Sequence, residues 1–448
     1  RVVLLRPQPP VLPKTTTITA VMSKQSQQQP ATAPRQGPRP LALHLQAAMV
    51  TWLSSSTGWQ LWNSGSPIWH PQLMTRANRL REQVATQEQA VAADPGQPNH
   101  DFRAELAAAI DSEARRRLGD FFTGVQRYRR ADCERSLTEP PAIWAEGGSR
   151  LLDYGALGDT PDGTPILVVP SLINRGYILD LTEEASLLRW LVGEGYRPLL
   201  LDWGAPGEVE RDFSLTDYVA GRLERALDAA RLLVGQSQLP VIGYCMGGML
   251  ATALAWRRPL DVSDLILLAT PWSFHAMGAS AARRVAAAYE AIAPFVEVWG
   301  ALPVDSIQSL FASLDPLLVP RKFANIAHSD DEQFSHFVEL EDWLNDGIPL
   351  PAKVAHECMR GWYGRNDPAN GNWRIAGLPV DPTAIRARTL VIIPDHDRIV
   401  PPASAAALAA LVPAATIMPV SLGHVGLVVG SSARTQVWEP MSDWLKSA

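Results

Sequence analysis

From about residue 150 onward, the hydrophobic positions gather into short unbroken runs separated by longer amphipathic stretches. Ile166–Val169, Pro198–Leu201, Pro240–Tyr244, Leu265–Ala269, Leu390–Ile393 and Thr416–Val420 each spell a buried strand. The runs do not alternate with polar residues, so both faces of each strand are expected to be covered. Tyr218–Val234 and Met249–Arg257 read as intervening helices. Strands alternating with helices imply an α/β fold with a mostly parallel central sheet. Residues 272–386 break this rhythm, being long, rich in aromatics and mainly helical in pattern. They read as a helical cap inserted into the sheet domain, which is then formed by residues 147–271 and 387–448.

Upstream, residues 41–146 read as a helical N-terminal region. Leu41, Leu43, Leu45 and Met49 open an apolar stretch, and Asp101–Arg130 is rich in strong helix formers. The Trp, Gly and Ser content between Trp52 and Trp69 predicts looser helices with an interaction surface. Residues 1–40 are rich in Pro, Gln, Thr and Ala without periodicity, which predicts a disordered tail. Met22-Ser23-Lys24 reads as a plausible start, which leaves residues 1–21 as either an over-extended reading frame or a processed segment.

The 448 residues are 46% hydrophobic and 19% charged, with net charge −6. That balance fits a globular enzyme and argues against nucleic acid or anionic lipid as partner. Cys133, Cys245 and Cys358 lie far apart without zinc-ligand spacing, and His356-Glu357 lacks a second histidine, so no metal is expected. The sparse cysteines suit a reducing, cytoplasmic setting. No apolar run approaches the roughly 18 residues that span a bilayer.

The candidate chemistry lies where strands end. Leu239–Tyr244 runs into Gly243-Tyr244-Cys245-Met246-Gly247-Gly248 and then an apolar helix. This is a nucleophile elbow with cysteine in the place of serine. A free cysteine is most often a small buried hydrophobe; the flanking glycines and the strand–turn–helix setting set Cys245 apart. A helix N-terminus favours thiolate over thiol and offers N–H groups to an oxyanion, Met246 first among them. Beyond the later strands come Asp395-His396-Asp397 and Gly423-His424, the order Cys…Asp…His of an α/β-hydrolase-fold triad. Asp397, directly before Ile399-Val400-Pro401, is the expected acid.

Taken together, these segments resemble the polyhydroxyalkanoate synthases. The matching elements are the cysteine box, the loop Val169-Pro170-Ser171-Leu172-Ile173-Asn174 leading into Tyr177–Leu181, Asp202-Trp203 with Pro206, and the acid and histidine loops. In the cap, Phe337–Asp346 and Gly361–Asn366 look like the two-subunit short-chain type. The resemblance spans about residues 145–445. It departs at Arg398, where the family has histidine, and after His424, where Val428–Ser432 lacks the usual Asn-Pro.

The resemblance implies an acyltransferase that polymerises (R)-3-hydroxyacyl-CoA through a thioester on Cys245 and releases CoA. His424 would act as base and Asp397 would orient it. Met246 and Leu172 would supply oxyanion N–H groups, and Asn174, Tyr177 and Trp203 would contact substrate. No cofactor beyond the CoA thioester is implied. The implied partners are hydroxyacyl-CoA, the polyester chain, and a homodimer mate or second synthase subunit, with the protein at the surface of polyester granules. A cysteine esterase, thioesterase or intracellular depolymerase of the same fold remains the nearest alternative, and a non-catalytic granule protein the second.

Overall fold

The computed structural model describes residues 35–64, 74–92, 101–133, 135–158 and 163–447. The tail expected over residues 1–40 falls outside them up to residue 34.

The described residues form an eight-stranded sheet. Its strands are β1 (Ala142–Glu146), β2 (Ser149–Asp153), β3 (Thr164–Val169), β4 (Tyr196–Asp202), β5 (Leu239–Tyr244), β6 (Val262–Leu268), β7 (Arg388–Pro394) and β8 (Thr416–Val420). They lie in the order β1-β2-β4-β3-β5-β6-β7-β8. The ladders from β4 to β8 are all parallel, whereas β1 and β2 add antiparallel at one edge. Alternate residues feed two cores: Leu167, Val241, Leu265 and Val391 on one face, Ile166, Ile242, Ile266 and Leu390 on the other. Each such fully buried aliphatic side chain stabilises by about 2 kcal/mol relative to exposure, which is why both faces must be covered.

Two expectations change. β8 is not buried: four of its five positions are exposed or half-buried, because it pairs with β7 alone and forms the far edge. The β1–β2 hairpin carries no continuous apolar run, since it too borders the sheet, and pattern reading passes over it.

Three helices before the insertion matter for the site: α1 (Leu41–Leu53) and α2 (Phe102–Arg129) in the N-terminal region, and α3 (Met246–Arg257), which follows the nucleophile in the sheet domain. The chain between β6 and β7 then contributes α4 (Ala279–Trp299), α5 (Leu318–Ile326) and α6 (Asp331–Asn345). Phe121 and Tyr128 on α2 meet Phe323 on α5 edge-to-face, with ring centroids 6.4 and 5.6 Å apart. The N-terminal helices are thereby welded to the inserted helices. Trp52, Trp59 and Trp62 are buried, so these aromatics form core rather than an interaction surface; residues 65–69 of that stretch lie outside the described residues.

Residues 35–40, grouped with the tail by composition, instead run as a strap along α6. Arg35 Nε donates to Asp342 Oδ1 at 2.8 Å, Arg39 N–H donates to Asn345 Oδ1 at 2.8 Å, and Arg39 Nε donates to Asp305 Oδ1 at 2.7 Å. Local composition carries no trace of such partners some 300 positions away.

Candidate active site

β5 ends at Tyr244, and the chain turns into α3 within one residue. That residue is Cys245, at φ 54°, ψ −125°, a conformation that costs a side-chain-bearing residue on the order of 1–3 kcal/mol. Close packing holds it there. A Cβ on Gly247 would sit 2.5 Å from the Pro170 carbonyl oxygen, and one on Gly248 would overlap Thr270 Oγ1. Only glycine lets α3 start this near the loop after β3.

β7 and β8 deliver the other two groups. His424 Nδ1 lies 2.6 Å from Asp397 Oδ2. Asp397 Oδ1 accepts N–H bonds from Ile399 and Val400, both at 2.8 Å, so the carboxylate is fixed at both oxygens. Asp395 faces elsewhere, toward Ser421 Oγ at 3.3 Å and His396. The Cys245 thiol and the His424 imidazole line the same cavity. Burial by itself would lower the His424 pKa, but the negative charge at Cys245 and the hydrogen bonds that the imidazole makes with Asp397 and Cys245 together push it up to about 10. The arrangement favours the protonated imidazole at His424.

Tyr244 is a site residue that motif reading missed, although it stands directly before the nucleophile. Its hydroxyl donates to the His424 carbonyl oxygen at 3.2 Å, and its ring lies 5.4 Å from the imidazole. Burial, with the charges at Cys245 and Asp397, holds the phenol well above its usual range, so it remains a donor and steadies the histidine loop.

Cys245 and His424 open into a cavity of about 210 Å³ whose sheet-side wall includes Ser171, Ile173 and Asn174. Asn174 is held by a bridge to Gly347, just beyond α6. Leu172 is buried between those wall residues, and Met246 opens α3. Tyr177 and Trp203 do not line this cavity. Trp203 is buried and donates from Nε1 to the Pro170 carbonyl at 2.9 Å, bracing the loop from behind. Tyr177 borders a second cavity with Arg135 and Asp346. Trp343 on α6 donates to the Arg175 carbonyl at 2.8 Å, tying the inserted helices to the segment after Asn174. Arg398 also reaches the Cys245 cavity, its Nη1 3.0 Å from Asp315 Oδ2.

The α/β-hydrolase fold pattern matches residues 164–302, which contain Cys245. The poly(3-hydroxyalkanoate) polymerase subunit PhaC of Haloferax mediterranei is 30% identical over 312 residues, covering 68% of this chain and 63% of its own. The same-named subunit of Allochromatium vinosum is 27% identical, covering 74% of this chain and 94% of its own. An α/β-hydrolase fold protein from Nakamurella multipartita aligns at 18% identity over 69% of this chain and 99% of its own, with a TM-score of 0.42. The sheet, the elbow and these relatives agree: the chain carries an α/β-hydrolase fold and is similar over about two thirds of its length to poly(3-hydroxyalkanoate) polymerase subunits.

Proposed function

We propose that the chain is a hydroxyacyl-CoA-polymerising acyltransferase in which Cys245, His424 and Asp397 form the catalytic triad. The observation that carries this is the shared cavity: a strained cysteine at a helix N-terminus beside a buried His–Asp pair. His424 Nε2 takes the thiol proton, and the Cys245 sulfur attacks the thioester carbonyl carbon. The tetrahedral oxyanion is met by the N–H groups of Met246 and Leu172, together worth about 3–4 kcal/mol. As the carbon–sulfur bond to CoA breaks, His424 returns the proton to the departing CoA thiolate. Thioester has been exchanged for thioester, so the acyl group stays activated without a separate cofactor. A substrate 3-hydroxyl then loses its proton to His424 and attacks the acyl-cysteine, forming an oxygen ester and freeing Cys245. Water in place of that hydroxyl gives free acid, so exclusion of water by the inserted helices decides the product.

The relatives are named as subunits, which supports a second polypeptide as partner. The experiment incubates purified protein with 3-hydroxybutyryl-CoA and measures CoA, polymer and free hydroxy acid. Growing product mass with minor free acid is expected. Free acid equal to CoA release, with and without the partner, overturns the polymerase reading.

A further inference from the structure

The cavity around Cys245 is completed by a part of the chain that lies before the α/β domain. Pro38 and Arg39 of the strap and His44 of α1 line it, together with Lys322 of α5 and Glu341 of α6. His44 is 2% exposed. Its Nε2 lies 3.2 Å from the Arg39 carbonyl oxygen, a group that only accepts, so the ring proton sits on Nε2. Nδ1 is left as a bare acceptor, buried and without a partner. The Lys322 ammonium pairs with the Glu341 carboxylate and acts on the ring through its charge alone. Burial, opposed by the Arg39 carbonyl and reinforced by Lys322, lowers the imidazole pKa, consistent with a neutral ring. An unpaired buried acceptor is costly, and most such groups in native proteins are satisfied.

We propose that His44 is a substrate-positioning residue whose Nδ1 accepts a hydrogen bond from an O–H or N–H donor of the acyl-CoA entering the Cys245 cavity. The inference rests on the acyl-CoA reading above. Two parts of such a ligand offer the donor: the 3-hydroxyl of the acyl group and the amide N–H groups of the pantetheine arm. α1 thereby acts as a wall of the binding site as well as a packing element.

The test separates these sources and also the two readings. In a Cys245→Ala background, which prevents turnover, calorimetry compares the binding of 3-hydroxybutyryl-CoA and butyryl-CoA. His44→Gln keeps a donor at the ε position for Arg39 but removes the δ acceptor, while His44→Asn keeps an acceptor at the δ position. His44→Gln is expected to weaken binding roughly tenfold, one hydrogen bond's worth, and His44→Asn to restore it to within about twofold. Loss confined to 3-hydroxybutyryl-CoA assigns the donor to the hydroxyl, and equal loss for both ligands assigns it to pantetheine. Unchanged affinity in His44→Gln, or an equal loss in His44→Asn, overturns the proposal. If the parent with His44 intact binds neither ligand, it is the acyl-CoA reading that has failed.

Discussion

Asp397→Asn changes one atom in a place where the structure allows only one outcome. Asp397 is 6% exposed and its Oδ1 accepts two backbone N–H bonds at 2.8 Å, from Ile399 and Val400. Those donors demand an oxygen, so the asparagine carbonyl must occupy that position and its NH₂ must face His424 Nδ1. Two donors cannot share a hydrogen bond. The imidazole proton therefore moves to Nε2, and the ring loses the basic nitrogen it turns toward Cys245. The equivalent change in a serine triad costs about 10⁴ in turnover, which is roughly 5 kcal/mol of transition-state stabilisation. CoA release at saturating hydroxyacyl-CoA measures it, with circular dichroism as the check on folding. Asp395→Asn is the control. Its carboxylate is half-exposed beside Ser421 and His396, and surface pairs of this kind are worth about 0–1 kcal/mol. Asp397→Asn protein that retains more than about a tenth of wild-type turnover refutes the tautomer argument.

Cys245→Ala is expected to abolish CoA release and to lower the His424 pKa from about 10, because the negative charge beside the ring is gone; proton NMR titration reads the second effect. Since the folded-state value lies above the ordinary 6.5, the pairing stabilises fully below about pH 6.5 and is lost as pH rises through about 10. The variant should therefore show a weaker alkaline loss of stability, and an unmoved His424 titration would contradict the ion pair. Gly248→Ala forces a methyl group into the fully buried Thr270 and should destabilise by about 1–3 kcal/mol; an unchanged thermal midpoint would show slack at the elbow. A chain beginning at residue 41 should melt below one beginning at residue 35, by about 1–3 kcal/mol in denaturant titrations, because only the shorter one lacks the contacts to Asp342, Asn345 and Asp305. Equal stability would mean that the strap contributes nothing.

The central architecture was legible because its signals are local. A strand covered on both faces must be apolar without interruption, and the elbow requires its glycines within three residues of Cys245. The order of acid and histidine then follows from successive strand ends. Elsewhere the determinants are distant. Arg35 meets Asp342, and His44 shares a cavity with Lys322; nothing near residue 35 or 44 encodes those encounters. Trp203 shows a different limit. A tryptophan in a loop motif suggests a ligand contact, yet its indole N–H goes to the Pro170 carbonyl, so its influence on the site runs through the backbone of the β3 loop. β1 escapes pattern reading and β8 is read as a strand but wrongly as buried, for the same physical reason: an edge strand has a solvent side.

That edge has a consequence for the molecule in a crowd. β8 ends the sheet with an unpaired side and exposes Ile417 by 52%, the geometry to which another extended chain could add itself as the next strand. Pro419 withholds one backbone donor within the strand, and at its start Trp444 of the C-terminal helix leans over, donating from Nε1 to Thr416 Oγ1 at 3.3 Å. A ladder begun on this edge would be obstructed at its first residue and interrupted at its fourth. Copies of the chain that meet edge to edge therefore find a margin that resists extension of the sheet.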